Sequence, residues 1–71
     1  MERYANRSSG SGVSAYEIGS DYIRVRFSSG STYQYSYRKA GQVNVENMKR
    51  LASAGSGLNS YINSHVKFKY D

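Results

Sequence analysis

Cysteine is absent from these 71 residues, and histidine occurs once. The first absence excludes a disulfide staple and a thiolate metal site. The second leaves His65 as the lone imidazole, while the carboxylates Glu2, Glu17, Asp21, Glu46 and Asp71 are scattered along the chain. A nucleophile–base–orienter set needs an acid behind its base, and Asp71 is the only acid near His65 in sequence. Metal ligands at usable spacing are missing as well. Neither catalysis nor a cofactor is expected. No apolar run approaches the ~18 residues that span a bilayer, and the opening Met1-Glu2-Arg3-Tyr4-Ala5-Asn6-Arg7 lacks the apolar stretch of a secretory signal. The expectation is a cytoplasmic protein with no membrane role. No long Lys/Arg run is present, so any basic patch must be assembled by the fold.

What the chain does have is excess positive charge and tyrosine. Ten Lys and Arg against five Asp and Glu give a net charge of +5, and eight residues are Tyr. A basic excess points toward a polyanionic partner, RNA or other nucleic acid first. The length allows one domain with a small core. Residues 1–12 end in Arg7-Ser8-Ser9-Gly10-Ser11-Gly12, which reads as a flexible N-terminal arm; residues 13–71 form the domain.

From Val13 the pattern is β. Tyr16 and Ile18 share a face, and Gly19-Ser20 suits a two-residue turn that would pair Ile18 with Asp21 and Tyr16 with Ile23. In residues 21–27, Ile23, Val25 and Phe27 alternate with Tyr22, Arg24 and Arg26. The loop Ser28-Ser29-Gly30 sets the next register. A two-residue loop would force positive φ on Ser29, whereas a three-residue loop puts Gly30 in the left-handed position. The latter pairs Phe27 with Ser31, Val25 with Tyr33 and Ile23 with Tyr35. Tyr33 and Tyr35 then lie on the apolar face, and Arg24 and Arg26 point the other way beside Gln34 and Ser36.

After Arg38-Lys39-Ala40-Gly41-Gln42 the period becomes helical. Val45, Met48, Leu51 and Ala52 form a stripe, with Asn44 as N-cap and Gly55 as the stop. A second helix starts near Ser56 and carries Leu58, Tyr61, Ile62 and His65 at helical spacing. The tail Val66-Lys67-Phe68-Lys69-Tyr70 alternates again and suits either a short extra strand or an extended strap. Both helices need an apolar partner, and the Ile/Val/Phe/Tyr sheet face supplies it. The fold class is α+β: a three-stranded antiparallel meander, with room for a fourth short C-terminal strand, and two helices packed on one face.

This order of elements, with Phe27, Gly30, Tyr33 and Tyr35 in the middle, resembles the KTSC domain family, named after the lysyl-tRNA synthetase C-terminal domain. The stretch Tyr61-Ile62-Asn63-Ser64-His65-Val66 is similar to the family's Tyr-aromatic-Asn…His-hydrophobic stretch. The ending Lys67-Phe68-Lys69-Tyr70 looks like its Arg-x-Arg-Tyr tail. The resemblance covers about residues 13–70. It departs at Arg38-Lys39-Ala40, where the family places a Val-Pro pair, and at Ile62, where an aromatic is common. What it implies is a small module found alone or fused to some lysyl-tRNA synthetases, with RNA as the expected partner.

The candidate phosphate track is Arg24 and Arg26, joined by Lys67 and Lys69 if the tail pairs with the sheet, with Arg38 at one end. Tyr22, on the arginine face, is the candidate stacking residue. Phe27, Gly30, Tyr33, Tyr35, Tyr61, Asn63, His65 and Tyr70 are read as structural. The expected function is a non-enzymatic binding module that takes RNA through its basic sheet face. The alternative is a protein partner, met by strand addition or self-association.

Overall fold

A computed structural model describes residues 1–5 and 12–71. Four strands, β1 (Glu2–Arg3), β2 (Val13–Ile18), β3 (Tyr22–Phe27) and β4 (Thr32–Ser36), form one antiparallel sheet in the order β1-β2-β3-β4. Helices α1 (Tyr37–Ala40), α2 (Gln42–Ala54) and α3 (Leu58–Tyr61) follow, and α3 continues into a π-helical turn, Ile62–Val66. The fold is α+β.

The second hairpin has the register expected from its turn. Ile23 opposes Tyr35 and Val25 opposes Tyr33, Phe27 N–H donates to the Ser31 carbonyl at 2.8 Å, and Gly30 holds φ at +98°. A side chain at that φ would be strained, so the three-residue loop wins.

The first hairpin differs. Ile18 opposes Ile23 and Tyr16 opposes Val25, and Gly19 N–H donates to the Tyr22 carbonyl at 2.9 Å. The turn is therefore Ser20-Asp21, not Gly19-Ser20. Gly19 is needed for space: a Cβ there would sit 1.9 Å from Tyr22 Cε1. The shift is by two residues, so no side chain changes face. A bulge at Ser14 then puts Val13, opposite Phe27, on the same face as Tyr16.

The N-terminal residues were expected to lie in a flexible arm, but β1 pairs with β2 through Glu2–Tyr16 and Arg3–Ala15. Tyr4 is 2 % exposed. Its ring meets Tyr16 edge-on, with centroids 6.5 Å apart, and its hydroxyl accepts the Leu58 N–H at 3.2 Å. Helix α3 begins after Gly57, whose missing side chain cannot cap it. Tyr4 satisfies one of its orphan amides from the far end of the chain. The remainder of the expected arm, residues 6–11, lies outside the described residues.

Ile23, Val25 and Tyr35 from the sheet pack with Val45, Met48 and Ala52 of α2 and with Leu58, Ile62 and Val66. Spacing of four residues keeps Leu58, Ile62 and Val66 on one helical face. His65, expected in that stripe, is exposed, and Tyr61 is half-buried. The linker 37–40 is helical, with the Ser36 hydroxyl accepting from the Lys39 N–H. Helix α2 is preceded by Gly41 and stops at Gly55, which adopts the left-handed conformation. Asn44 is therefore inside the helix and not its cap. Its Nδ2 donates to the Ala40 carbonyl at 2.8 Å and its Oδ1 accepts from the Tyr61 hydroxyl at 2.7 Å. The chain's last residues run as a strap beside β4, where Asp71 N–H donates to the Gln34 carbonyl at 2.7 Å. The fourth strand comes from the N-terminus.

Candidate nucleic-acid interface

Two surfaces flank β3 and β4. The first is the open face of the sheet, where alternation places Tyr22, Arg24 and Arg26. The β2–β3 register sets Glu17 opposite Arg24. Arg24 Nη1 lies 3.4 Å from Glu17 Oε2, and its Nε donates to Gln34 Oε1 at 2.8 Å. The Tyr22 hydroxyl donates to the same Glu17 oxygen at 3.1 Å, and the Arg24 guanidinium lies 5.2 Å from the Tyr22 ring centre. Gln34 Nε2 then reaches Asp71 Oδ2 at 2.7 Å, and the Ser36 hydroxyl reaches Asp71 Oδ1 at 2.7 Å.

Arg24 thus sits in a polar network that runs from Glu17 through Gln34 to Asp71, and Arg26 stands outside it. Hydrogen bonds from Ser36 and Gln34 hold the Asp71 carboxyl below the usual aspartate range. Of the expected track, Arg26 is exposed and its guanidinium has no partner among the described residues. Arg24 and Tyr22 are already engaged with Glu17. Arg38 is exposed on α1. The tail does not pair as a strand, so Lys67 and Lys69 do not extend the row of Arg24 and Arg26.

The second surface is an open cleft of about 400 Å³ at the loop end of the β3–β4 hairpin. Its floor is Phe27, Tyr33 and Tyr35 from the apolar face of the sheet, and its far wall is Lys67, Phe68 and Tyr70 from the strap. Tyr33 packs against Phe27 with centroids 5.7 Å apart and against Tyr70 at 4.7 Å. Tyr70 meets Tyr35 edge-on at 6.5 Å. The geometry separates the paired tyrosines. Tyr35 is 1 % exposed, and burial first, then the neighbouring Tyr33 and Tyr70, push its hydroxyl up to about 12. Tyr33 is 37 % exposed, Tyr70 38 % and Phe68 78 %. Lys67 Nζ lies 5.5 Å from the Phe68 ring centre.

The helical wall of the cleft carries Asn59 and Asn63. Sequence reasoning treated Asn63, Tyr33 and Tyr70 as structural and did not single out Asn59 or Phe68. The available signal was Lys67-Phe68-Lys69, in which one ring sits between two cations and outside every apolar stripe. Tyr61 and His65, by contrast, lie away from both surfaces. Their rings stack with centroids 4.4 Å apart. The Tyr61 hydroxyl joins α2 to α3 through Asn44 and through Asn47, which donates to it at 3.2 Å.

Among the described residues no group of three His, Cys, Asp or Glu side chains converges on a common point, and no helix is long and apolar enough to cross a membrane. No family model matches the chain, and neither the curated proteins nor the solved structures contain a match to it.

Proposed function

We propose that this chain is a non-enzymatic, KTSC-like module that binds single-stranded nucleic acid, RNA in preference to DNA. The observation that carries the proposal is the gathering of three exposed rings, Tyr33, Phe68 and Tyr70, around one cleft beside Lys67, in a chain of net charge +5. Rings with a free face stack on unpaired bases of any sequence, and nearby cations hold the phosphates. A large exposed Phe such as Phe68 has no folding role that explains its place. The resemblance to a domain fused to lysyl-tRNA synthetases favours RNA.

The proposal moves binding from the arginine face to the cleft. Arg24 would have to give up Glu17 and Gln34 before meeting a phosphate, while Lys67 and Arg26 need no such exchange. Strand addition by a protein partner at β4 would have to displace Asp71, whose N–H already donates to the Gln34 carbonyl.

Binding of an unpaired oligonucleotide over a salt series tests the function. Two or three phosphate contacts give a log–log slope of about −1.4 to −2.1 on a single strand. No binding at low ionic strength would refute the proposal, as would binding that ignores salt.

A further inference from the structure

We infer that the cleft reads its base: it seats one unpaired adenine, with Asn63, supported by Asn59, on the base edge and Lys67 toward the phosphate. The inference deepens the nucleic-acid reading and rests on it. Stacking alone is indifferent to sequence. The cleft, however, has polar groups beside its rings that stacking does not use.

Asn59 and Asn63 are four residues apart, so both lie on the same side of the helical wall. Both line the cleft, and neither side-chain amide has a hydrogen-bond partner among the described residues. Asn44 and Asn47, the other helical asparagines, are both engaged with Tyr61. Asn63 also sits inside a helical segment, where Asn is less favourable than Ala. No local hydrogen bond offsets that cost. It lies in the π turn Ile62–Val66, and such turns occur frequently at functional sites.

The remaining lining groups narrow the ligand. A volume of about 400 Å³ is at the small end of ligand pockets, suited to one base and not to a duplex. Among the described residues no carboxylate lines the cleft. An amide presents one donor beside one acceptor, and on the Hoogsteen edge of a base only adenine offers the matching pair, N6 and N7. In a single strand that edge is free. Among the described residues Lys67 is the only charged group in the lining, and it has no carboxylate partner there. It is therefore placed to take the phosphate.

The test uses the full chain and four RNA heptamers, UUUNUUU with N as A, G, C or U, in fluorescence-anisotropy titrations at low salt. The adenine heptamer should bind at least about 5-fold more tightly than the other three, the lower end for one bidentate amide–adenine pair. Asn63→Ala should remove that preference while leaving the affinity for the all-uridine heptamer within about 2-fold, since stacking is retained. Asn63→Asp keeps the shape but trades the donor for a negative charge, so it should remove the preference and also weaken binding of every heptamer. Asn63 is exposed and off the core, so far-UV circular dichroism should be unchanged in both variants.

Equal binding of all four heptamers overturns the inference and leaves the nucleic-acid reading standing. So does a preference for guanine that disappears in Lys67→Met, because the lysine would then be the base reader. Absence of binding to every heptamer removes both.

Discussion

Replacing Tyr4 by alanine removes a ring that is 2 % exposed and the hydroxyl that accepts the Leu58 N–H. Deleting a buried aromatic costs about 3–5 kcal/mol. A domain of 71 residues has only about 4–11 kcal/mol in total. Tyr4→Ala should therefore lose a large share of the stability, and the chain should be part-unfolded at 37 °C. Tyr4→Phe separates the two contributions. It keeps the edge-on contact with Tyr16 and leaves the buried Leu58 N–H without an acceptor, a cost of about 1–3 kcal/mol. For a domain of this size each kcal/mol lowers Tm by about 4–8 °C. Urea unfolding followed by circular dichroism gives both values, with m unchanged for Tyr4→Phe. If Tyr4→Ala unfolds within about 0.5 kcal/mol of wild type, as surface positions do, the N-terminus is not part of the core and the reasoning fails.

Three further predictions probe separate parts of the account. Gly19→Ala drives a Cβ into the Tyr22 ring and should cost about 1–3 kcal/mol by overpacking, while Gly19→Ala combined with Tyr22→Ala should recover much of that loss in the same urea assay. Phe68→Ala should weaken oligonucleotide binding about 5-fold or more and leave the urea midpoint unchanged, because the ring is 78 % exposed; an unchanged affinity would remove Phe68 from the site. Asp71 has a carboxyl held below its ordinary value in the folded chain. The stabilisation it adds is therefore present above the unfolded aspartate pKa and is lost as pH falls through the lower, folded one. An NMR pH titration should show the Ser36 amide moving at a pH below that of a free aspartate, and the transition should vanish in Asp71→Asn.

Several of these features can be read from the chain, and others depend on what folding brings together. Ser28-Ser29-Gly30 specifies its hairpin because only the glycine tolerates positive φ, and that single local constraint carries the faces of Tyr33, Tyr35, Arg24 and Arg26 with it. Gly19 looks like the same signal but answers a different need, room for the Tyr22 ring. No local rule distinguishes the two. Glu2–Arg3 is too short to show alternation, and Tyr4 gains its place only from Tyr16 and Leu58, far away in sequence. Helical periodicity identifies Val45, Met48, Ala52, Leu58 and Ile62 correctly, but the π turn places Val66 and not His65 against the core. The cleft was the least legible part. It needs the strap to fold back over β4, so that Phe68 and Tyr70 meet Tyr33 from the opposite end of the domain. The same fold-back brings Asp71 to Gln34 and Ser36 and completes the network that engages Arg24. A face read as a phosphate track from its arginines is thus mostly satisfied internally.

The most direct test of the central claim is an amide and side-chain NMR titration of the full chain with an unpaired RNA heptamer at low salt. The account predicts that resonances of Tyr33, Asn59, Asn63, Lys67, Phe68 and Tyr70 shift together and saturate, while those of Glu17, Tyr22 and Arg24 stay in place. Shifts confined to Glu17, Tyr22 and Arg24, with the cleft unmoved, would contradict it.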